Sequence, residues 1–567
     1  MAAPARETAP VAAQRKVDTS GLDAALFYQL LLAELQLRNQ DPGDAYALVM
    51  DAANRTKRQE LYRHAVNIAL QARAGNAALD AANAWASAYP EAEEAHGYKL
   101  RILLALDRPG DIGPPLRQLI ELTPADKRRD FILALPTLLA RTSNRNAATQ
   151  AVRQGLGPAL AQKNTTSAAW HTLARLQLDQ PDRPAALESV RRALQAEPNF
   201  LPSIGLALDL MEQNQPGAEA LVRNYLARHS TGTADHSANL VQLGLSRVLL
   251  QLQRYDESQK ELDQVLKRGP ELPDAWLMQG ALHSQMRDFP RAQTALQKFL
   301  DLTAGTENEA ARQGRTQALL QLAQNAEQQN DYAAAMGWLD RITDTSDPLS
   351  LQVRRAQLLA RQGQLQEART LLQQTPETAA GDAQRKALAE AHLLRDFGQT
   401  GAALDVLTHA TQAFPNDPDL MYERAMLADK AGQPDLMEEQ LRELIRQHPD
   451  HSHAYNALGY SLADRNERLD EAKTLIQKAL QGSPNDPFML DSLGWVEYRL
   501  GRLDEAQRIL ADAFRRRPDA EIAAHLGEVL WQQGEQDEAR AIWRQGQALN
   551  PASETLHQTL QRLQVQP

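Results

Sequence analysis

Five prolines, Pro415, Pro449, Pro484, Pro518 and Pro551, follow one another at intervals of 34, 35, 34 and 33 residues. A proline cannot donate the backbone bond of a helix, and it pushes the residue before it out of the helical region, so each marks a place where a helix stops. A chain that stops its helices on a fixed beat is built from one repeated unit, and its fold is then a stack in which each unit touches its neighbours. The beat continues upstream. Pro90 and Pro124 lie 34 apart, and Pro124, Pro198 and Pro270 follow at 74 and 72, two units to each interval.

Other residues keep the same time. In AWHTLARLQLDQPDRPAALESVRRALQAEPN, Trp170, Leu173 and Ala174 open one helix, Ala186 and Ala193 lie in a second, and Pro198 closes the unit. Leu490, Leu493, Gly494, Ala506, Ala513 and Pro518 stand at matching places, as do Leu526, Gly527, Ala539 and Pro551, with Trp543 at a large core position. Small residues at the crossing let two helix axes approach, and the large ones before them fill the groove between neighbouring pairs. Apolar residues make up 43 % of the 567 and aromatics only 5 %; Ala, Leu, Gln, Glu and Arg dominate. These are helix formers, and the β-branched residues that favour strands are sparse. The expected fold is all-α, with about 14–16 helical hairpins of ~34 residues filling roughly 21–567.

Composition also narrows function. The net charge of −11 is spread along the whole chain, whereas a nucleic-acid binder needs a basic stripe. There is no cysteine, which removes disulfides, thiolate metal ligands and thiol nucleophiles together. No window is apolar enough to span a membrane. None of the phosphate-loop, zinc-protease, nucleophile-elbow or dinucleotide motifs occurs, so neither an enzyme nor a cofactor is expected. The one histidine cluster, His448, His451 and His453 in QHPDHSH, falls at a corner between units and reads as a polar turn rather than a metal site.

The pattern of large residue, Leu, Gly/Ala, Ala, Ala and Pro over 34 residues resembles the tetratricopeptide repeat, most clearly from Asp419 to Pro551. The match is good around Ala168–Pro198 and in Asp274–Leu300, where Trp276, Gly280, Phe289 and Ala292 align. It is degenerate elsewhere. Arg424 and Met437 stand where Leu and Ala are expected, and the unit at Leu201–His229 lacks the second-helix alanine and the closing proline. The resemblance implies a right-handed superhelical solenoid whose first helices line a concave, protein-binding groove. On that basis, residues one and four past the Gly/Ala point inward: Tyr460, Ala463, Trp495, Tyr498, Glu528 and Trp531. Asn456, Asp491 and Arg499 are polar candidates on the same face. The expectation is a partly exposed aromatic strip, from which Trp495 and Trp531 can be removed at little cost in stability.

The run YNALGYSLADRNERLDEAKTLIQKALQGSPNDPFMLDSLGWVEYRLGRLDEA, followed by AEIAAHLGEVLWQQGEQDEARAIWRQG, is more distinctive. It resembles the C-terminal end of proteobacterial outer-membrane tetratricopeptide lipoproteins that partner a periplasmic carboxyl-terminal processing protease. The resemblance implies an adaptor that joins this protease to its cell-wall hydrolase substrates. Similar solenoids that scaffold polysaccharide export or envelope assembly supply the alternative. It also implies a periplasmic protein on a lipid anchor at the outer membrane, although the sequence shows neither a signal nor a lipidated cysteine; a cytoplasmic location is the alternative. The expected organisation is a disordered Ala/Pro-rich tether over 1–20, degenerate repeats over 21–414, regular units over 415–551 and a capping helix over 552–567.

Overall fold

Each proline of the C-terminal beat sits directly behind a helix end. The residues before them, Phe414, His448, Ser483, Arg517 and Asn550, close their helices with φ between −127° and −146°, the extended backbone that a following proline demands. Other prolines start helices: Pro273, Pro348, Pro418, Pro434 and Pro487 occupy first positions, where the missing N–H has no partner to lose. In this computed structural model residues 23–180, 182–229 and 236–566 are described, and the tether expected over 1–20 lies outside them. The described residues hold thirty-one α-helices, two short 3-10 turns and no strand. This is an all-α solenoid of helical hairpins.

By its internal contacts the chain divides into two units, Met1–Gly305 and Thr306–Pro567. In the first, successive helices pair as antiparallel neighbours, as Gln59–Gln71 does with Gly75–Ala88 and Thr166–Leu178 with Arg183–Ala196. Its core is mostly Ala and Leu, with Tyr62 and Trp85 buried among them. The 3-10 turns Pro109–Asp111 and Gly157–Leu160 fall here, in the part where the repeat pattern is weakest.

The second unit ends in four hairpins and a lone helix. The hairpins pair Pro418–Lys430 with Pro434–Gln447, Ser452–Asp464 with Leu469–Gly482, Pro487–Arg499 with Leu503–Arg516, and Ala520–Gln533 with Gln536–Leu549. The Glu554–Leu563 helix, the closing helix of the described residues, packs on Ala520–Gln533 and buries Leu556 and Leu560. The crossings follow the expected logic. A methyl on Gly459 would lie 2.8 Å from the Ala472 carbonyl oxygen, and one on Gly494 would meet Leu510 at 2.5 Å. Ala472, Ala506, Ala513 and Ala539 are fully buried opposite. Where the pattern departs, packing adapts. Met437 is buried in place of Ala, and Arg424 turns its guanidinium onto the Thr411 hydroxyl at 3.2 Å.

The first helices at Ser452–Asp464, Pro487–Arg499 and Ala520–Gln533 touch one another in sequence, and no pair of second helices in this stretch touches as closely. The closer side of a stack is its inside. The first helices therefore form the inner face of these hairpins.

Candidate functional site

Side-chain caps fix the height of each inner helix. The Asp486 carboxylate accepts the N–H groups of Phe488 and Met489 at 2.9 and 3.0 Å, Asp519 accepts that of Glu521 at 2.8 Å, and Ser553 accepts that of Leu556. His451 does the same with Nδ1, taking the Ala454 N–H at 3.1 Å. The histidine of the sequence cluster that lies closest to a helix start is thus spent on a cap.

Held this way, the expected residues converge. The Asp491 carboxylate accepts from Nδ1 of His525 at 2.9 Å, and both side chains are closed to solvent, at 4 % and 2 % exposure. The imidazole lies flat on the Trp495 ring, with centroids 4.3 Å apart, and Tyr460 presents its hydroxyl 3.5 Å from Nε2. Tyr498, 5.0 Å from Trp495 ring to ring, donates its hydroxyl to Glu528 at 3.0 Å. Arg562 of the closing helix donates to both oxygens of Glu528, at 2.8 and 2.6 Å, the bidentate geometry of a strong carboxylate pair. Arg499 donates to the carbonyls of Ala463 and Asp464 at 3.1 and 2.9 Å, satisfying the free end of the preceding inner helix. Trp531 is half-buried between the Trp543 ring and the Arg540 guanidinium.

The strip is therefore not evenly open. Asn456, Tyr460, Tyr498, Arg499 and Trp531 keep partial exposure, but Trp495 is 4 % and Glu528 1 % exposed, and Asp491 is buried with them. This corrects the expectation that Trp495 can be removed cheaply. Truncating a buried tryptophan costs about 3–5 kcal/mol. The cause is two residues that the inward-pointing offsets do not select, His525 and Arg562. Each reaches its carboxylate from 34 residues further on, one repeat away. The signal for His525 was present: with Glu528 it is one of the two polar side chains in the run Ile522–Leu530, which is buried throughout.

Burial works against the charged His525 imidazole. The Asp491 charge and hydrogen bond, with Glu521 and Glu528 behind them, outweigh it and hold the pKa above its ordinary 6.5. A group whose pKa is raised on folding stabilises fully below its unfolded value and loses that contribution as pH rises through the folded one. The last hairpins should therefore keep the full contribution at pH values below 6.5 and lose it progressively as pH rises above that value, as read by tryptophan fluorescence in urea. A His525→Gln variant should flatten that slope; an unchanged slope would assign the pH dependence elsewhere. Tyr498 responds to the same surroundings, its phenol pushed up to about 12 by burial and by Glu528.

The repeat geometry has a counterpart in known proteins. The family model described as tetratricopeptide repeat matches residues 243–283, 277–350, 422–487 and 492–554. Over these segments the chain carries tetratricopeptide repeats. Residues 1–242 and 351–421 lie outside the matched segments. A TPR repeat-containing protein of Pseudomonas aeruginosa is 40 % identical over 207 residues, 36 % of this chain and 35 % of that protein. Human tetratricopeptide repeat protein 7A is 37 % identical over 89 residues, 16 % of this chain and 10 % of the human one. The match thus spans about a third of the bacterial relative and a tenth of the human one. Among solved structures, yeast Tom70 is similar at 14 % identity with a TM-score of 0.36, over 78 % of this chain and 95 % of Tom70. Asn456, Tyr460, Trp495, Tyr498, Arg499, Glu528 and Trp531 lie within the segments matched at 422–487 and 492–554, and Asp491 falls just between them.

Proposed function

We propose that this protein-interaction scaffold is an adaptor of the cell envelope, bringing a carboxyl-terminal processing protease together with the cell-wall hydrolases it cleaves. The observation that carries the binding role is the inner face of the last three hairpins. There Tyr460, Tyr498 and Trp531 keep half-exposed edges above a buried network that holds them still. Aromatic side chains fixed in this way are favoured anchors for a partner chain, because little freedom is left to lose on binding. An open hollow of about 400 Å³ beside them, bordered by Asn466, Tyr498, Arg499, Leu503 and Gln532, gives a partner side chain room to enter.

The envelope assignment draws its support from the C-terminal run and its resemblance to outer-membrane lipoproteins. In this reading a lipid anchor holds the chain at the periplasmic face; among the described residues no helix is long and apolar enough to cross a membrane. The scaffold itself has no hydrolytic activity. It acts by raising the mutual concentration of two clients bound to different segments, to on the order of millimolar for short flexible spacing.

Three measurements test this together. The purified chain should leave a cell-wall hydrolase intact by itself and accelerate its cleavage by the carboxyl-terminal processing protease of the same cell. Removing the units from Asp419 onward should abolish one of the two binding events and spare the other. If the full chain captures neither protein from envelope extracts, the adaptor reading fails, and a structural role in envelope assembly takes its place.

A further inference from the structure

The first and last described helices differ in what they turn to water. The Glu554–Leu563 helix exposes Glu554, His557, Gln558, Gln561 and Arg562, all polar. The Ala24–Arg38 helix does the opposite. Its Leu26, Leu30, Ala33 and Leu37 pack inward, while Phe27, Tyr28, Leu31 and Leu35 stand between 45 and 62 % exposed. These are four of the thirteen large apolar side chains exposed among the described residues, gathered on one helix of 15 residues. Single exposed apolar residues are ordinary, but a contiguous patch of them marks a contact surface.

Phe27, Leu31 and Leu35 follow one another at four-residue steps, so they form a single ridge along the helix, with Ala24 and Tyr28 beside it. The ridge is symmetric about Leu31. An antiparallel copy of the same helix sets Leu31 against Leu31 and each Phe27 against a Leu35. The charges at its ends select that sense. Asp23 caps the helix start by accepting the Leu26 N–H at 2.6 Å, Arg38 lies in the last turn, and both are exposed. Parallel packing would place carboxylate beside carboxylate and guanidinium beside guanidinium. Antiparallel packing brings each Asp23 to the other copy's Arg38 and opposes the two helix dipoles. Glu34, the remaining charge on this side, faces His64 at 3.5 Å. Helices that lie on a lipid surface carry several Lys or Arg on their polar face, whereas Arg38 is the one cationic residue of this helix.

We infer that the outer face of the Ala24–Arg38 helix binds a second copy of this chain, the two helices running antiparallel about a two-fold axis at Leu31. A two-fold contact uses the same patch on both partners, so a self-complementary ridge is what it requires. Further along the first unit, Gln59–Gln71 and Glu93–Ala105 each pack on the second helix of the hairpin before them. The second copy gives Ala24–Arg38 a neighbour of its own. One helix on each side covers less than the about 1,200–2,000 Å² of a stable complex, so the dimer is a weak one, with a dissociation constant on the order of 10 µM. The inference is independent of the inner face of the second unit and of the adaptor reading.

The test uses the full chain in sedimentation velocity, at concentrations bracketing about 10 µM. The sedimentation coefficient should rise with concentration toward that of a dimer. Leu31→Glu sets two carboxylates on the axis and should weaken association about tenfold or more. Leu31 is exposed and Glu favours a helix, so the circular-dichroism melt of this variant should match that of the wild type. The chain has no cysteine, so single introduced thiols report the geometry. Under mild oxidation Leu31→Cys should cross-link two copies, because the residue on the axis meets itself within the about 4 Å between β-carbons that a disulfide needs. Leu35→Cys should not cross-link to itself, but should do so when mixed with Phe27→Cys. A chain that stays monomeric well above the stated concentration would overturn the inference, and so would Leu35→Cys joining to itself as fast as Leu31→Cys. If the wild type never self-associates while Leu31→Glu loses an envelope partner or loses binding to phospholipid vesicles, the face belongs to another protein or to lipid and the inference is wrong.

Discussion

Replacing Trp543 with Ala should destabilise the last hairpin by about 3–5 kcal/mol, among the largest costs a single core substitution carries. In four units a glycine of the first helix faces a large side chain about sixteen residues on. Gly280 faces Leu296, Gly494 faces Leu510, and Gly459 faces Ile476. In the last hairpin Gly527 faces Trp543, whose ring is fully buried and whose N–H donates to the Ala524 carbonyl at 3.3 Å. The indole fills the space that a leucine or isoleucine fills in the other units, so its loss leaves a larger void. The reverse substitution tests the same contact. A methyl at Gly527 falls on the rigid ring and cannot be accommodated by a rotamer change as it could beside a leucine, so Gly527→Ala should cost about 1–3 kcal/mol. Gly494→Ala should cost less. Because units in a solenoid couple mainly to their neighbours, hydrogen exchange should show the loss confined to residues after about Pro487, with the first unit unaffected. A uniform loss of protection would mean that the array unfolds as one body.

How much of this was readable beforehand follows from what repeats and what does not. The prolines, the crossing glycines and the buried alanines recur because every unit solves the same packing problem, and Ala186, Ala193, Ala506 and Ala513 are buried as their spacing requires. The inner face was readable in direction only. An offset from Gly494 says where the Trp495 side chain leaves its helix, but not that His525 will lie flat upon it. Nor does any offset from Gly527 reveal that Arg562 folds back onto Glu528. Those partners belong to the next unit and to the closing helix, and they are particular to this chain, so no pattern shared among units contains them. Burial follows from such contacts. The same Trp495 that reads as an anchor on an open strip is therefore part of the closed layer beneath it, and the surface left to a partner is the edge formed by Tyr460, Tyr498 and Trp531.

That closed layer gives the second large effect. Truncating His525 to Ala leaves the Asp491 carboxylate buried with no countercharge, and a broken buried pair of this kind costs about 3–5 kcal/mol. Truncating Asp491 should cost a similar amount, because His525 then keeps only the 3.5 Å approach of the Tyr460 hydroxyl. Removing both should not double the loss. Replacing Asp491 with Leu and His525 with Phe restores an apolar layer and a ring on Trp495, and exchanging a buried ion pair for packed apolar groups is often close to neutral. The double variant should therefore be more stable than either single truncation, with non-additivity above about 1.5 kcal/mol in urea melts. Near-additive losses would show that the two residues stabilise the fold separately. Partner capture adds a second axis. If the pair's purpose is to hold Tyr460 and Trp495 in place, His525→Ala should weaken capture and the apolar double variant should recover much of it, since the ring beneath Tyr460 is restored. If the buried charge is itself needed to set the field at the inner face, the double variant should recover stability without recovering partner capture, and that split between stability and binding separates the two roles.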